Sequence, residues 1–160
     1  MEAREITAGK LLLAQGKTIA CAESCTGGLL TSRLTDIAGS SAYVMGSVVS
    51  YTNEIKERLV GVKHETLAAH GAVSEETARE MAEGIRRAIR TDVGVGITGI
   101  AGPGGGTETK PVGLVYIAVA TASGTTVTRN VFSGSRTENK RSSTEKALAM
   151  VIDALQEKNA

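Results

Sequence analysis

Thr18-Ile19-Ala20-Cys21-Ala22-Glu23-Ser24-Cys25-Thr26-Gly27-Gly28-Leu29-Leu30, residues 18 to 30, decides how this chain is read. Its first five residues are apolar and β-branched at their start, as a short strand requires. Gly27 and Gly28 then permit a sharp turn, and Leu30, Leu34 and Ile37 mark the apolar stripe of a following helix. Strand, glycine turn and helix together form the unit of an α/β fold.

The same alternation continues on both sides. Residues 2 to 15 carry Ile6, Leu12 and Leu13 among polar neighbours, which predicts an amphipathic helix stopped by Gly16. Tyr43 to Tyr51 reads as a second strand, and Asn53 as the cap of a short helix with Ile55, Lys56 and Leu59, ended by Gly61. A longer helix opens at Ser74 with Glu75 and Glu76 in its first turn. It presents Ala78, Met81, Ala82, Ile85 and Ile89 on one face and finishes with Arg86, Arg87 and Arg90, charges that suit the helix dipole.

Asp92 to Thr98 alternates Val and Gly into a third strand, which runs into a glycine-rich loop from Gly99 to Pro111. Val112 to Thr121 and Thr126 to Phe132 read as a hairpin turning at Ser123-Gly124. A last helix, from about Thr137, buries Leu148, Val151, Ile152 and Leu155. The expectation is one domain over residues 1–160, a three-layer α/β/α sandwich with a mixed, mostly parallel sheet of about five strands.

Composition removes several function classes. The 18 Lys and Arg against 17 Asp and Glu leave a net charge of +1, without the basic excess that draws a protein to nucleic acid or to a membrane surface. Tyr43, Tyr51, Tyr116 and Phe132 are the only aromatic residues, too few for a platform of stacked bases. Cys21 and Cys25 lack the second pair that would complete a zinc site, so no metal is expected. No apolar run has the length of a signal peptide or a membrane span, which makes a cytoplasmic protein with reduced thiols the default expectation.

In open α/β sheets ligands collect beyond the carboxyl ends of the strands, and three such ends here carry polar sequence. At the first, Ser24 is placed as a nucleophile on a glycine turn, with backbone N–H groups nearby to hold an oxyanion. Ser24 and Thr26 would equally suit plain helix capping. Cys25 competes as a nucleophile, or packs as a small buried residue. At the second end lie Tyr51 and Lys56, where a desolvated lysine could serve as base with a tyrosine as relay, or else face solvent. The third is Thr98-Gly99-Ile100-Ala101-Gly102-Pro103-Gly104-Gly105-Gly106, whose glycines can turn N–H groups inward around an anion. It fits neither the Gly-Lys-Ser/Thr phosphate loop nor the dinucleotide fingerprint. His64 and His70 adjoin no strand end and are set aside as surface residues.

Ala22-Glu23-Ser24-Cys25-Thr26-Gly27-Gly28, Asp36-Ile37-Ala38-Gly39-Ser40-Ser41, Ser50-Tyr51-Thr52-Asn53-Glu54, His70-Gly71-Ala72-Val73-Ser74, Gly99-Ile100-Ala101-Gly102-Pro103, Lys110-Pro111-Val112-Gly113 and Phe132-Ser133-Gly134 occur in this order. By these blocks the chain resembles the C-terminal domain of the CinA family, the nicotinamide-nucleotide amidases, from Thr18 to about Ile152. The resemblance implies hydrolysis of the carboxamide of nicotinamide mononucleotide to nicotinic acid mononucleotide and ammonia, in pyridine nucleotide salvage. It places the family's serine on Ser24, its tyrosine on Tyr51 and its lysine on Lys56. It also implies a substrate pocket made by Cys25, Thr26, Gly27, Gly28, Thr98, Gly99, Ala101 and Gly102, with Arg136 on the phosphate and Arg141 as the second choice. No cofactor, nucleic acid or membrane partner is implied, while a homodimer is. Longer members carry an N-terminal nucleotide pyrophosphatase domain that this sequence lacks, so that activity is expected to be absent. A sheet like that of anticodon-binding domains is the implied fold. A module that binds a nucleotide without altering it is the competing expectation.

Overall fold

Alternation along the central strand sets the layers. The computed structural model describes residues 1–157; the last three residues of the expected 1–160 domain lie outside it. Strand β1, Ile19–Glu23, is buried along its whole length. Successive side chains of a strand point to opposite faces, so Ile19 and Cys21 enter one core while Ala20 and Ala22 enter another. The first core is closed by α1 (Arg4–Gln15), α2 (Leu29–Thr35) and α6 (Arg136–Gln156) through Leu12, Leu30, Leu34, Leu148 and Val151. The second is closed by α5 (Glu75–Ile89) through Met81 and Ile85, with Leu67 of α4 (His64–His70) beside them. These are the three α/β/α layers.

The remaining strands are β2 (Val44–Val49), β3 (Val93–Gly99), β4 (Leu114–Thr121) and β5 (Gly124–Val131), in the spatial order β2-β1-β3-β4-β5. β1 pairs in parallel with β2 and with β3, and the β3-β4 and β4-β5 pairs are antiparallel. β4 therefore runs against the other four strands, and the sheet is mixed but mostly co-directional.

The Val-Gly alternation of β3 has a packing cause. Gly94 and Gly96 face α5, and a methyl group added to Gly96 would come within 2.5 Å of the Ala78 carbonyl oxygen and 2.8 Å of Met81 Cβ. Without those side chains, α5 lies directly on the strand backbone. Its N-cap is Ser74, whose Oγ accepts from the Thr77 N–H at 3.1 Å. Among the described residues, no helix is long and apolar enough to cross a membrane.

Several boundaries differ from the sequence expectation, each for a local reason. Thr52, not Asn53, caps the short helix α3 (Asn53–Ile55), its Oγ1 accepting from the Ile55 N–H at 3.3 Å. Lys56–Val60 then widens into a π turn before Gly61 ends it in the left-handed conformation. Ile37 lies beyond α2, and Leu13 is 62% exposed because the buried stripe of α1 runs through Ala8 and Leu12. The hairpin turns at Ala122-Ser123, since Thr121 pairs with Gly124. α6 begins at Arg136 because Ser135 and Glu138 form a reciprocal capping box.

Candidate active site

Ser24 is the first residue past β1, and its N–H donates to the Ile97 carbonyl of β3 at 3.0 Å. Glu23 precedes it on β1, and its main chain is held by the Ser50 N–H at 2.8 Å, so the carboxyl end of β1 is fixed between its two neighbours. Glu23 is itself buried, and its carboxylate is fully engaged. It accepts from the Thr26 hydroxyl at 2.7 Å, the Leu30 N–H at 3.0 Å, and the Thr31 N–H and hydroxyl at 2.9 and 2.6 Å. A buried carboxylate without such donors would be strongly destabilising. Here it ties the turn at residues 24–28 to the start of α2.

Lys56 enters from the other side of the sheet's end. The π turn carries its side chain back under the β2-α3 loop, where it is 1% exposed. Its Nζ lies 3.1 Å from Ser24 Oγ, 2.8 Å from the Ser50 carbonyl oxygen and 3.3 Å from that of Tyr51. Among the described residues no carboxylate lies within ion-pair distance of it. Burial disfavours the ammonium form and pulls the amine below its ordinary range. Cys25 would oppose that shift only as a thiolate, and burial pushes its thiol up to about 12. At neutral pH the opposing charge is not there.

The charge state decides what the three contacts mean. A neutral amine has two N–H donors and one lone pair. In its neutral form the amine gives both donors to the two carbonyls, which can only accept, and turns its lone pair to Ser24, the one partner able to donate; in its charged form it donates to all three. Hydrogen positions follow from this network of partners.

Ser24, Cys25, Tyr51, Lys56, Thr98, Gly99, Ala101, Gly102 and Arg136 line one cavity of about 270 Å3, together with Ala72, Val73, Ile100, Gly104 and Gly105. The Thr98 hydroxyl donates to the Ala72 carbonyl at 2.8 Å and holds one wall in place. Arg136 spans the mouth, with Nη1 on the Gly102 carbonyl at 2.8 Å and Nη2 on the Tyr51 phenol oxygen at 3.2 Å. No carboxylate pairs with its guanidinium among the described residues.

The structure separates some of the expected residues. Thr26 is buried on Glu23 and does not reach the cavity, nor do Gly27 and Gly28, which shape the turn with positive φ. The N–H groups of Leu30 and Thr31 are spent on Glu23, which leaves Cys25, Thr26 and Gly28 as the N–H groups of the turn without an acceptor among the described residues, and of these Cys25 alone lines the cavity. Arg141 is exposed on α6 beside Glu138 and lines no part of the cavity. Tyr51 reaches Lys56 only through its carbonyl; its ring is 59% exposed and its hydroxyl meets Arg136.

Glu23 and Asn139 were not picked out by sequence reasoning. Asn139, 1% exposed, donates to the Ala101 carbonyl at 3.0 Å and accepts from the Gly134 N–H at 2.9 Å, so it fastens α6 to the glycine loop. The Ser135-x-x-Glu138 box could have placed it, because a helix starting at Arg136 turns Arg136 and Asn139 to the same face.

The fold recurs in known proteins. The CinA C-terminal domain family model matches residues 2–155. A CinA-like protein of Chloroherpeton thalassium is 52% identical over 151 residues, covering 92% of this chain and 36% of that protein. One from Mycolicibacterium gilvum is 55% identical over 144 residues, covering 89% and 34%. The chain thus spans about a third of the length of these curated relatives. The crystal structure of the competence/damage inducible protein CihA from Agrobacterium tumefaciens superposes with a TM-score of 0.92 at 41% identity, covering 98% of each chain. A CinA superfamily protein from Escherichia coli superposes at 0.89 with 30% identity, covering 95% of this chain and 90% of its own. Match, identity and superposition all lead to one assignment: the chain belongs to the CinA C-terminal domain family.

Proposed function

We propose that the chain is an amidase that hydrolyses the carboxamide of nicotinamide mononucleotide to nicotinic acid mononucleotide and ammonia. The observation that carries this reading is the contact between the buried, carboxylate-free amine of Lys56 and the Ser24 hydroxyl at 3.1 Å, at the wall of a cavity. A lysine made neutral by burial is a competent general base for a serine.

In the first step Ser24 Oγ bonds to the amide carbon as its proton passes to Lys56 Nζ, and the carbonyl oxygen becomes an oxyanion. The N–H group of Cys25, without an acceptor among the described residues and on the cavity lining, is the donor for that oxyanion. In the second step the ammonium of Lys56 returns the proton to the departing nitrogen; ammonia leaves and an acyl ester on Ser24 remains. Water, deprotonated by the same amine, then cleaves the ester and restores the hydroxyl.

Arg136 is the group for the substrate phosphate. It stands at the cavity mouth on two neutral acceptors, and its planar fork suits a phosphate. Tyr51 serves this reading as the partner that orients Arg136, and its carbonyl orients Lys56. The test is ammonia release from nicotinamide mononucleotide by the wild type and by Ser24→Ala in the presence of a chelator. Release by the wild type alone supports the reading. A thermal shift with the nucleotide but no ammonia would instead favour a module that binds without reacting.

A further inference from the structure

A second cavity, of about 510 Å3, opens beyond one wall of the first, and Val73 lines both. The wall is the turn between α4 and α5, held by three sets of hydrogen bonds. Lys110 Nζ donates to the His70 carbonyl at 2.7 Å, and Thr98 to the Ala72 carbonyl at 2.8 Å. The hydroxyls of Ser74 and Thr77 donate to the Gly71 carbonyl at 3.1 and 2.7 Å.

The floor of the second cavity is the sheet. Thr98, Tyr116 and Arg129 are register partners across β3, β4 and β5. Opposed residues of antiparallel strands share a face, so this row runs from the first cavity, lined by Thr98, into the second, lined by Tyr116 and Arg129.

Its charges are mixed. Glu75 and Glu76 belong to the lining; Glu75 is 3.5 Å from Arg79, and Glu76 is 3.7 Å from His70, which offsets it only when the imidazole is protonated. Lys110 and Arg129 have no carboxylate within ion-pair distance among the described residues. The apolar part of the lining is Val73, Val127 and the half-buried ring of Tyr116. Two cations with no carboxylate in direct contact, beside an aromatic ring and two valines, suit an anion attached to a flat, partly apolar group, and the volume is in the range of small-molecule sites.

We propose that this cavity is a second binding site, for a nucleoside phosphate, with Lys110 and Arg129 on the phosphate and Tyr116 against the base. It goes beyond the amidase reading and does not need it. The nucleoside phosphate is either the far half of an extended substrate or a free effector, and the two are separated by how it acts on turnover.

Calorimetric titration of the wild-type chain with adenosine monophosphate at low salt tests the site. The expected result is binding that weakens at least about tenfold in Arg129→Gln and in Lys110→Met and persists in Arg136→Gln. Absence of binding at millimolar nucleotide, or binding lost in Arg136→Gln and kept in the other two, overturns the proposal. Ammonia release is followed in parallel: competitive inhibition identifies an extended substrate, and a change in kcat at constant KM identifies an effector. If the wild type releases no ammonia, the amidase reading fails, while the titration still decides this one.

Discussion

Lys56 Nζ stands 3.1 Å from Ser24 Oγ although 32 residues separate them in the chain. The serine directly follows β1 and the lysine directly follows α3, beyond β2, and the parallel pairing of Glu23 with Val49 brings the two together. In its neutral form the amine, held on the Ser50 and Tyr51 carbonyls, has one direction left for its lone pair, toward Ser24.

Ser24→Ala is expected to lower ammonia release at least about a thousandfold, in line with the loss of a covalent nucleophile. Circular dichroism and thermal melting should be unchanged, because the hydroxyl is replaced by a methyl at an already small buried site. A variant with an undiminished rate would remove serine from the mechanism.

Lys56→Met should lower kcat about a hundredfold to ten-thousandfold, the usual worth of a general base. It should also remove a pH dependence of stability. The amine is pulled down in the folded state by burial, so between its folded and unfolded pKa values the native protein binds fewer protons. Stability of the wild type therefore rises with pH through the window below 10.5, and denaturant melts of Lys56→Met should lose that rise. A methionine variant that kept the same rise with pH would contradict the burial argument.

Arg136→Gln and Tyr51→Phe should differ in kind from these. Arg136 holds both Gly102 and the Tyr51 hydroxyl, so its loss is expected to raise KM about tenfold to a hundredfold with a smaller fall in kcat. Tyr51→Phe removes only the phenol contact and should raise KM by less, leaving the pH dependence of kcat/KM in place. A shift of that profile in Tyr51→Phe would assign the phenol the role of proton relay that the sequence suggests.

Cys25 adjoins the nucleophile, but its thiol is pushed up to about 12 by burial. It is protonated at neutral pH, and thiolate is the reactive form. Cys25→Ala should keep activity within about tenfold of the wild type, because the loss is one of packing. Thiol reagents should inactivate the wild type only slowly. A dead Cys25→Ala that folds normally would reverse the ranking of the two nucleophiles.

The layers could be read from the sequence because they rest on local patterns. The Thr18 to Leu30 unit, the Ser74 cap and the Val-Gly strand each carry their own periodicity or turn chemistry. The Ser24, Tyr51 and Lys56 constellation came from resemblance, since spacing along the chain cannot tell a buried lysine from an exposed one. Two facts decided the side chains. The π turn over Lys56–Val60 swings Lys56 inward, and α6 starting at Arg136 reaches across to the Tyr51 phenol. The role of Glu23 is not legible in the sequence, because an acidic residue at the end of an apolar strand looks like its solvent-exposed terminus. Here it is the buried anchor of α2. Arg141 was placed with Arg136 by proximity in sequence, and the helix turns it outward.

The state of the Lys56 amine is open to direct measurement by carbon NMR titration of its Cε resonance in the wild-type chain. The predicted result is a midpoint below the ordinary 10.5 that coincides with the acidic limb of kcat/KM for ammonia release. A midpoint at or above 10.5, with the enzyme fully active while the amine is still charged, would contradict the account of Lys56 as the base that activates Ser24.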